Sequence, residues 1–167
     1  MSPRWPAISR RLVATAPLLA LAACGFRPLY GRRGRGGPAL SSIAVEPIPE
    51  RMGQLLRNAL LDRLQPAGQT RHVLQAQVTL VDQDLGIQSN DRATLGNLYA
   101  TVTWRLLTPT GEGRRRLDLE ETSRSAVTYN ILDNQYATEQ SRRAAQRAIA
   151  DDLAATIETR LAAYFST

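Results

Sequence analysis

Two segments in the middle of the chain alternate strictly between apolar and polar residues, and this alternation limits the possible fold more than any other feature. The alternating apolar residues are Leu74, Ala76, Val78 and Leu80 within residues 72–81, and Leu98, Ala100, Val102, Trp104 and Leu106 further on. Because successive side chains of a strand point to opposite faces, each segment predicts a strand with one buried face and one polar face. Short links between consecutive strands favour an antiparallel arrangement.

Two more strands and two helices are predicted around these segments. A β-rich run at residues 42–46 is stopped by Pro47 and Pro49, and a more polar strand covers residues 117–127. Apolar residues repeat at helical spacing after the first strand and again from about Gln135 onward. The residues of these two stripes are Met52, Leu55, Leu56, Ala59, Leu60 and Leu64, and Ala145, Ala148, Ile149, Leu153, Ile157, Leu161, Tyr164 and Phe165. The predicted fold is α+β, a two-layer sandwich in which a four-stranded, mostly antiparallel sheet carries two helices on one face.

Residues 1–23 have the pattern of a secretory signal peptide. Three arginines precede an apolar run over residues 12–23, which is well short of the ~20 residues that a transmembrane helix needs. The run ends in Leu21-Ala22-Ala23-Cys24, which resembles a bacterial lipobox, so we expect Cys24 to be lipidated and to become the first mature residue. Gly25, rather than Asp, then favours the outer membrane as the destination. The Arg- and Gly-rich residues 24–38 predict a flexible tether, followed by one domain over residues 39–167.

The charge of the mature chain is modest. Loss of the signal peptide removes 3 of the 21 basic residues, all of which are arginines, and leaves 18 against 15 acidic residues, a net charge of +3. In an exported protein this balance argues against nucleic acid as a partner. Cys24 is the only cysteine, so an intramolecular disulfide is excluded.

The residue types that catalysis or metal binding requires are scarce. The one histidine, His72, begins a predicted strand without an acidic residue nearby in sequence, so we expect an ordinary edge or surface histidine. The acidic residues between 82 and 91 lack the spacing of a calcium loop and are interpreted as turn formers. Glu120 and Glu121 lie on opposite faces of a strand and cannot act as a pair. The sequence therefore predicts no catalytic residues, no metal site and no cofactor.

Residues 82–97 form a long polar connection between the two alternating segments. The connection carries Arg92 together with the apolar residues Leu85, Ile87 and Leu95. Connections of this length are uncommon without a role, so the segment is either a binding loop or disordered.

Six short segments, taken in order, carry a resemblance to a known family. They are residues 24–31 (Cys-Gly-Phe-Arg-Pro-Leu-Tyr-Gly), 54–60 (Gln-Leu-Leu-Arg-Asn-Ala-Leu), 92–95 (Arg-Ala-Thr-Leu), 128–130 (Thr-Tyr-Asn), 134–138 (Asn-Gln-Tyr-Ala-Thr) and 161–165 (Leu-Ala-Ala-Tyr-Phe). Together they resemble the LptE family of lipopolysaccharide-assembly lipoproteins, in particular its alphaproteobacterial branch. The resemblance covers nearly the whole chain.

The resemblance implies a non-catalytic α+β domain that is seated as a plug inside the LptD β-barrel and helps insert lipopolysaccharide into the outer leaflet. The lipid anchor would hold the domain on the periplasmic side of the outer membrane. The family pattern implies a glycolipid contact by a basic residue in the loop between the second and third strands, which Arg92 matches. At a second basic position, just before the last helix, this chain has Thr138, and the nearest basic residues are Arg142 and Arg143.

Two alternatives come from other classes of protein. An accessory envelope lipoprotein of a phospholipid ABC transporter would also have a tethered α/β domain and no active site. An envelope hydrolase fits less well, because the residues for nucleophilic catalysis are missing.

Overall fold

The computed structural model describes residues 37–87, 93–111 and 113–166. In chain order the elements are α1 (Gly37–Leu40), β1 (Ile43–Val45), α2 (Glu50–Leu64), β2 (His72–Ile87), β3 (Ala93–Gly111), β4 (Arg114–Asn130) and α3 (Gln135–Ser166). The predicted signal peptide, the lipidation site at Cys24 and Arg92 lie outside the described residues. Residues 37 and 38, predicted as the end of the tether, instead begin α1. In the described ranges, no helix combines the length and the apolar character that crossing a membrane would need.

The four strands form one sheet in the order β1-β2-β3-β4. The β2–β3 and β3–β4 pairs are antiparallel, whereas β1 runs parallel to β2. The parallel pair arises because α2 carries the chain back from the end of β1 to the start of β2, as a crossover connection requires. The α+β class and the four strands agree with the prediction. The sheet is mixed rather than mostly antiparallel, and the described residues form three helices rather than two because of the short α1.

The predicted polar connection over residues 82–97 is wrong, since most of it is a β-hairpin. β2 continues to Ile87 and β3 begins at Ala93, and their register runs without interruption from Val73↔Leu107 to Leu85↔Leu95. Asp82 and Asp84, interpreted as turn formers, are strand residues in this hairpin. Backbone pairing with β3 keeps these polar residues extended despite their low strand propensity.

The core lies between one face of the sheet and the two long helices. All the apolar residues of the second alternating segment, Leu98, Ala100, Val102, Trp104 and Leu106, are at most 1% exposed, which confirms the predicted buried face. They pack with Leu56 and Leu60 of α2 and with Ile149, Leu153, Ile157 and Leu161 of α3 in a single cluster. Two members of the predicted α3 stripe, Ala148 and Tyr164, are exposed instead.

One polar pair is buried inside this core. The indole Nε1 of Trp104 donates to the hydroxyl of Ser123 on β4 at 3.1 Å, and Ser123 is only 6% exposed. The hydrogen bond satisfies both polar groups where water cannot reach them.

Candidate functional site

The end of β2, the start of β3, the end of β4 and the start of α3 meet at one end of the sheet. On the helix-covered face, the hydroxyl of Tyr129 donates to Oδ1 of Asp82 at 3.0 Å, and Nη2 of Arg142 lies 2.7 Å from Oδ2 of the same carboxylate. We call Asp82, Tyr129 and Arg142 the hairpin-end cluster. It ties the β2–β3 hairpin to the first turns of α3.

The position of Tyr129 depends on a glycine on the neighbouring strand. Gly96 pairs with Tyr129 in the β3–β4 register, and a Cβ atom at Gly96 would lie 2.4 Å from Cζ of the ring. Only a residue without a side chain lets the ring lie this close to the β3 backbone. Gly96 therefore sets where the Tyr129 hydroxyl meets Asp82.

Side chains at the start of α3 hold the backbone of the segment that leads into this helix. The Oδ1 of Asn134 accepts from the backbone N–H groups of Tyr136 at 2.9 Å and Ala137 at 3.4 Å, which caps the helix. The hydroxyl of Thr138 donates to the carbonyl of Leu132 at 3.0 Å and accepts from its N–H at 2.8 Å. Thr138, where the family pattern has a basic residue, therefore holds the preceding loop through backbone contacts.

Arginine side chains of α2 and α3 lie around Glu139, on the helix that carries Arg142. A hydrogen bond from Arg143, 2.7 Å long, lowers the pKa of Glu139, and the charges of Arg142 and Arg51 lower it further. The Nε of Arg142 is buried and has no hydrogen-bond partner among the described residues. Three arginines therefore act on the charge of Glu139, and one of them, Arg142, also holds Asp82. Planar guanidinium donors of this kind suit a phosphate group.

The sheet face that turns away from the helices is uncovered by the described residues and is mainly polar. Arg105 pairs with Glu120 across β3 and β4 at 2.9 Å, and the hydroxyls of Thr103 and Thr122 lie 3.4 Å apart on the same face. The predicted polar positions on this face, Gln75, Gln77, Thr79, Thr101, Thr103 and Arg105, are all exposed or half-buried. We call this surface the open face.

At the opposite end of the sheet, His72 lies near an acidic residue that is distant from it in the sequence. Nδ1 of His72 lies 2.9 Å from Oγ1 of Thr108 and 3.6 Å from Oδ2 of Asp118, and its ring packs against Phe165. The Thr108 hydroxyl donates a hydrogen bond to Oδ2 of Asp118. A catalytic triad has the imidazole between nucleophile and carboxylate, whereas here the hydroxyl stands between them, so the three side chains are not arranged as a triad.

Opposing effects act on the carboxylate of Asp118. Burial favours the neutral form, but hydrogen bonds from Thr108 and Arg116, together with the positive charge of Arg116, outweigh it and leave the pKa of Asp118 below its ordinary value. The carboxylate is therefore charged at neutral pH, and the hydrogen bond that it accepts from Thr108 ties the start of β4 to the end of β3. In the described part of the chain, no group of three or more His, Cys, Asp or Glu side chains could hold a metal ion.

Comparison with known proteins decides the family. The family profile described as LptE, lipopolysaccharide-assembly, matches residues 40–161, well over half of the chain. The chain belongs to the LptE family. Membership assigns the domain to lipopolysaccharide assembly in the cell envelope, as the resemblance of the sequence segments implies.

Individual relatives resemble the chain in sequence or in fold. A protein from Caulobacter crescentus CB15, solved as a candidate lipoprotein, is 27% identical with a TM-score of 0.66, over 81% of this chain and 98% of that one. The rare lipoprotein B from Shewanella oneidensis shares the fold at 13% identity, with a TM-score of 0.52 over 72% of this chain and 93% of that one. An uncharacterized protein of Rickettsia prowazekii is 23% identical over 145 residues, which are 87% of this chain and 90% of that protein.

Proposed function

We propose that this LptE-family protein is lipid-anchored to the outer membrane through Cys24 and sits as a plug in the LptD β-barrel, where it helps insert lipopolysaccharide into the outer leaflet. The observation that carries the proposal is the open face, a broad polar surface of three long strands that no described element covers. The interior of a large outer-membrane barrel is polar and water-filled, so such a surface fits against its wall.

A photo-activated crosslinker on the open face is expected to attach to one barrel protein. Gln77 and Thr103 are exposed positions on β2 and β3 that suit the probe, because neither side chain enters the core. The measurement is the mass and identity of the crosslinked product from intact outer membranes, with the unsubstituted chain under the same light as control. Crosslinks to lipid alone, from folded and membrane-bound protein, would contradict the plug.

The Cys24→Ser variant is expected to lose all incorporation of labelled fatty acid, because the thiol is the acceptor for the diacylglycerol group. Several acyl chains, at about 0.8 kcal/mol per buried methylene, then account for stable anchoring. Gly25→Ala keeps the thiol and is the matched control, with labelling expected at the wild-type level. Labelling of Cys24→Ser equal to that of the control would remove the anchor from the proposal.

The Arg92→Glu variant is expected to weaken lipopolysaccharide binding by about tenfold or more, because charge-assisted hydrogen bonds to phosphate contribute about 1.5–3 kcal/mol. Binding is measured at low salt, where charge effects are largest. Arg114→Glu, at the first residue of β4, is the control and should bind like the wild type. If Arg92→Glu also bound like the wild type, Arg92 would be an ordinary surface arginine.

Purification of the lipidated protein from detergent-extracted outer membranes separates the proposal from its main alternative. A large β-barrel protein that co-purifies supports the plug. An inner-membrane ABC complex in its place would favour the accessory subunit of a phospholipid transporter.

A further inference from the structure

The outer edge of β2 is paired over only its first residues. β1 pairs with His72, Val73 and Leu74, and the last backbone bond on this side runs from the N–H of Glu46 to the carbonyl of Leu74 at 3.0 Å. Pro47 and Pro49 follow, and the chain enters α2 instead of extending β1. β2 itself continues to Ile87, and no strand of the described residues pairs with this further length of its edge.

The direction of the free backbone groups follows from the bonds to β1. The N–H of His72 and the carbonyl of Leu74 both point to that side, and the groups of alternate residues point the same way. Ala76, Val78 and Leu80 therefore present their N–H and carbonyl groups outward. The groups of Gln77 and Thr79 point inward to β3.

This edge lacks the features by which natural sheets prevent pairing with other chains. Free edges are usually short, bulged, or marked by proline or charged side chains. Residues 76–81, Ala-Gln-Val-Thr-Leu-Val, contain neither proline nor a charged residue, and their pairing with β3 has no bulge. Among the described residues, this edge thus carries none of these protections.

Side chains beside the edge are also incompletely covered. Ala76, Val78 and Leu80 face the helix layer but are only half-buried at the margin of the core. At the head of the edge lies a cleft of about 330 Å³, lined by Pro47, Pro49, Gln77 and Arg105 among others. An added strand would cover the apolar row and place one of its side chains in the cleft.

We propose that the β2 edge from Ala76 to Val81 is a docking site for an extended segment of the β-barrel partner, which adds a fifth strand to the sheet. The inference rests on the proposed function for the identity of the partner. The outward N–H and carbonyl groups of Ala76, Val78 and Leu80 recur at every second residue. Only an extended backbone has donors and acceptors with the same spacing, so the bound segment must be a strand.

A second copy of this chain fits the edge less well. The β2 strand of the second copy would have to end before it reaches Glu46 of the first copy, because Glu46 already lies beside β2 there. Among the symmetric antiparallel registers that leave this room, the one with the longest overlap pairs residues 77–87 of the two copies around Asp82. The two Asp82 carboxylates then lie directly opposite each other, where like charges destabilise a strand pair.

The test compares two substitutions at one outward-facing position of the full-length lipidated protein. Val78→Pro removes the free N–H without removing a bond to β3, and is expected to reduce the co-purified barrel at least tenfold. Val78→Ala keeps the N–H, loses only apolar atoms, and should retain the barrel. Circular dichroism of both variants checks the fold. A folded Val78→Pro variant that co-purifies as much barrel as the wild type overturns the docking site while leaving the plug intact.

Amide hydrogen exchange of the wild-type complex tests the pairing without any variant. The amides of Val78 and Leu80 should exchange rapidly in the free protein and become at least tenfold slower in the complex. The amides of Gln77 and Thr79, which are paired with β3, should be slow in both. Unchanged exchange at Val78 and Leu80 overturns the proposal, even if Val78→Pro fails to fold.

Two further outcomes also overturn the proposed partner. Light scattering that shows a wild-type dimer, dissociated by Val78→Pro, assigns the edge to a second copy. If no barrel co-purifies with the wild type, the docking site and the plug are both contradicted. If only the docking site is wrong, the wild type still co-purifies with the barrel.

Discussion

Replacing Trp104 by alanine is expected to lower the free energy of unfolding by about 3–5 kcal/mol. The side chain is fully buried at 0% exposure, and its indole donates to Ser123 at 3.1 Å. The substitution leaves a large cavity in the core and a buried hydroxyl without its donor. Because domains of this size are stable by about 5–15 kcal/mol, the loss takes up much of the total. Urea unfolding followed by far-UV circular dichroism measures it.

Tyr99→Ala on the same strand is the matched control for Trp104→Ala. Tyr99 points to the open face and is 38% exposed, so its loss is expected to cost about 1 kcal/mol or less. A Trp104→Ala variant within 1 kcal/mol of the control would contradict the packing described for β3.

The Gly96→Ala variant is expected to be less stable than the wild type by about 1–3 kcal/mol, the usual cost of overpacking. The new methyl group would stand 2.4 Å from the ring of Tyr129, so the ring must move and its hydroxyl leaves Asp82. Arg142 then holds the hairpin alone. Thermal unfolding measures the change.

A double-mutant cycle separates this clash from any general effect of alanine at position 96. In a Tyr129→Ala background the ring is absent, so Gly96→Ala should have almost no effect on stability. An equal cost of Gly96→Ala in both backgrounds would show that Tyr129 is not the group displaced.

Strands with a buried face could be predicted from the sequence because the core itself imposes the period of two. Leu98 to Leu106 alternate because every second side chain meets α2 or α3, and all of these apolar residues are buried as expected. The same applies to α3, whose predicted start at Gln135 agrees with the structure.

Elements held by pairing rather than by burial could not be predicted in this way. Residues 82–87 and 93–97 contain aspartate, asparagine and glycine, and their extended form comes from the hydrogen bonds of the hairpin. The parallel placement of β1 depends on the route of α2, which the short run Ile43–Val45 does not indicate.

The site was less predictable than the fold, because its groups meet only through the strand register. Asp82 and Arg142 are 60 positions apart, and His72 is 46 positions from Asp118. Charged residues are frequent along the chain, and nothing local marks which of them will pair. The one signal for Tyr129 is its place in the segment Thr128-Tyr129-Asn130, one of those that carry the family resemblance.

If the protein is exported as proposed, the position of α3 after all four strands sets an order of events during export. A chain that crosses the inner membrane from its N-terminus delivers β2, β3 and β4 before α3, and adjacent hairpins form readily because their contacts are local. Until Ile149, Leu153, Ile157 and Leu161 arrive, the apolar side of the sheet has only α2 to cover it. On the proposed export route, the sheet would thus expose apolar side chains until that helix is delivered, and a periplasmic chaperone would have an apolar surface to bind.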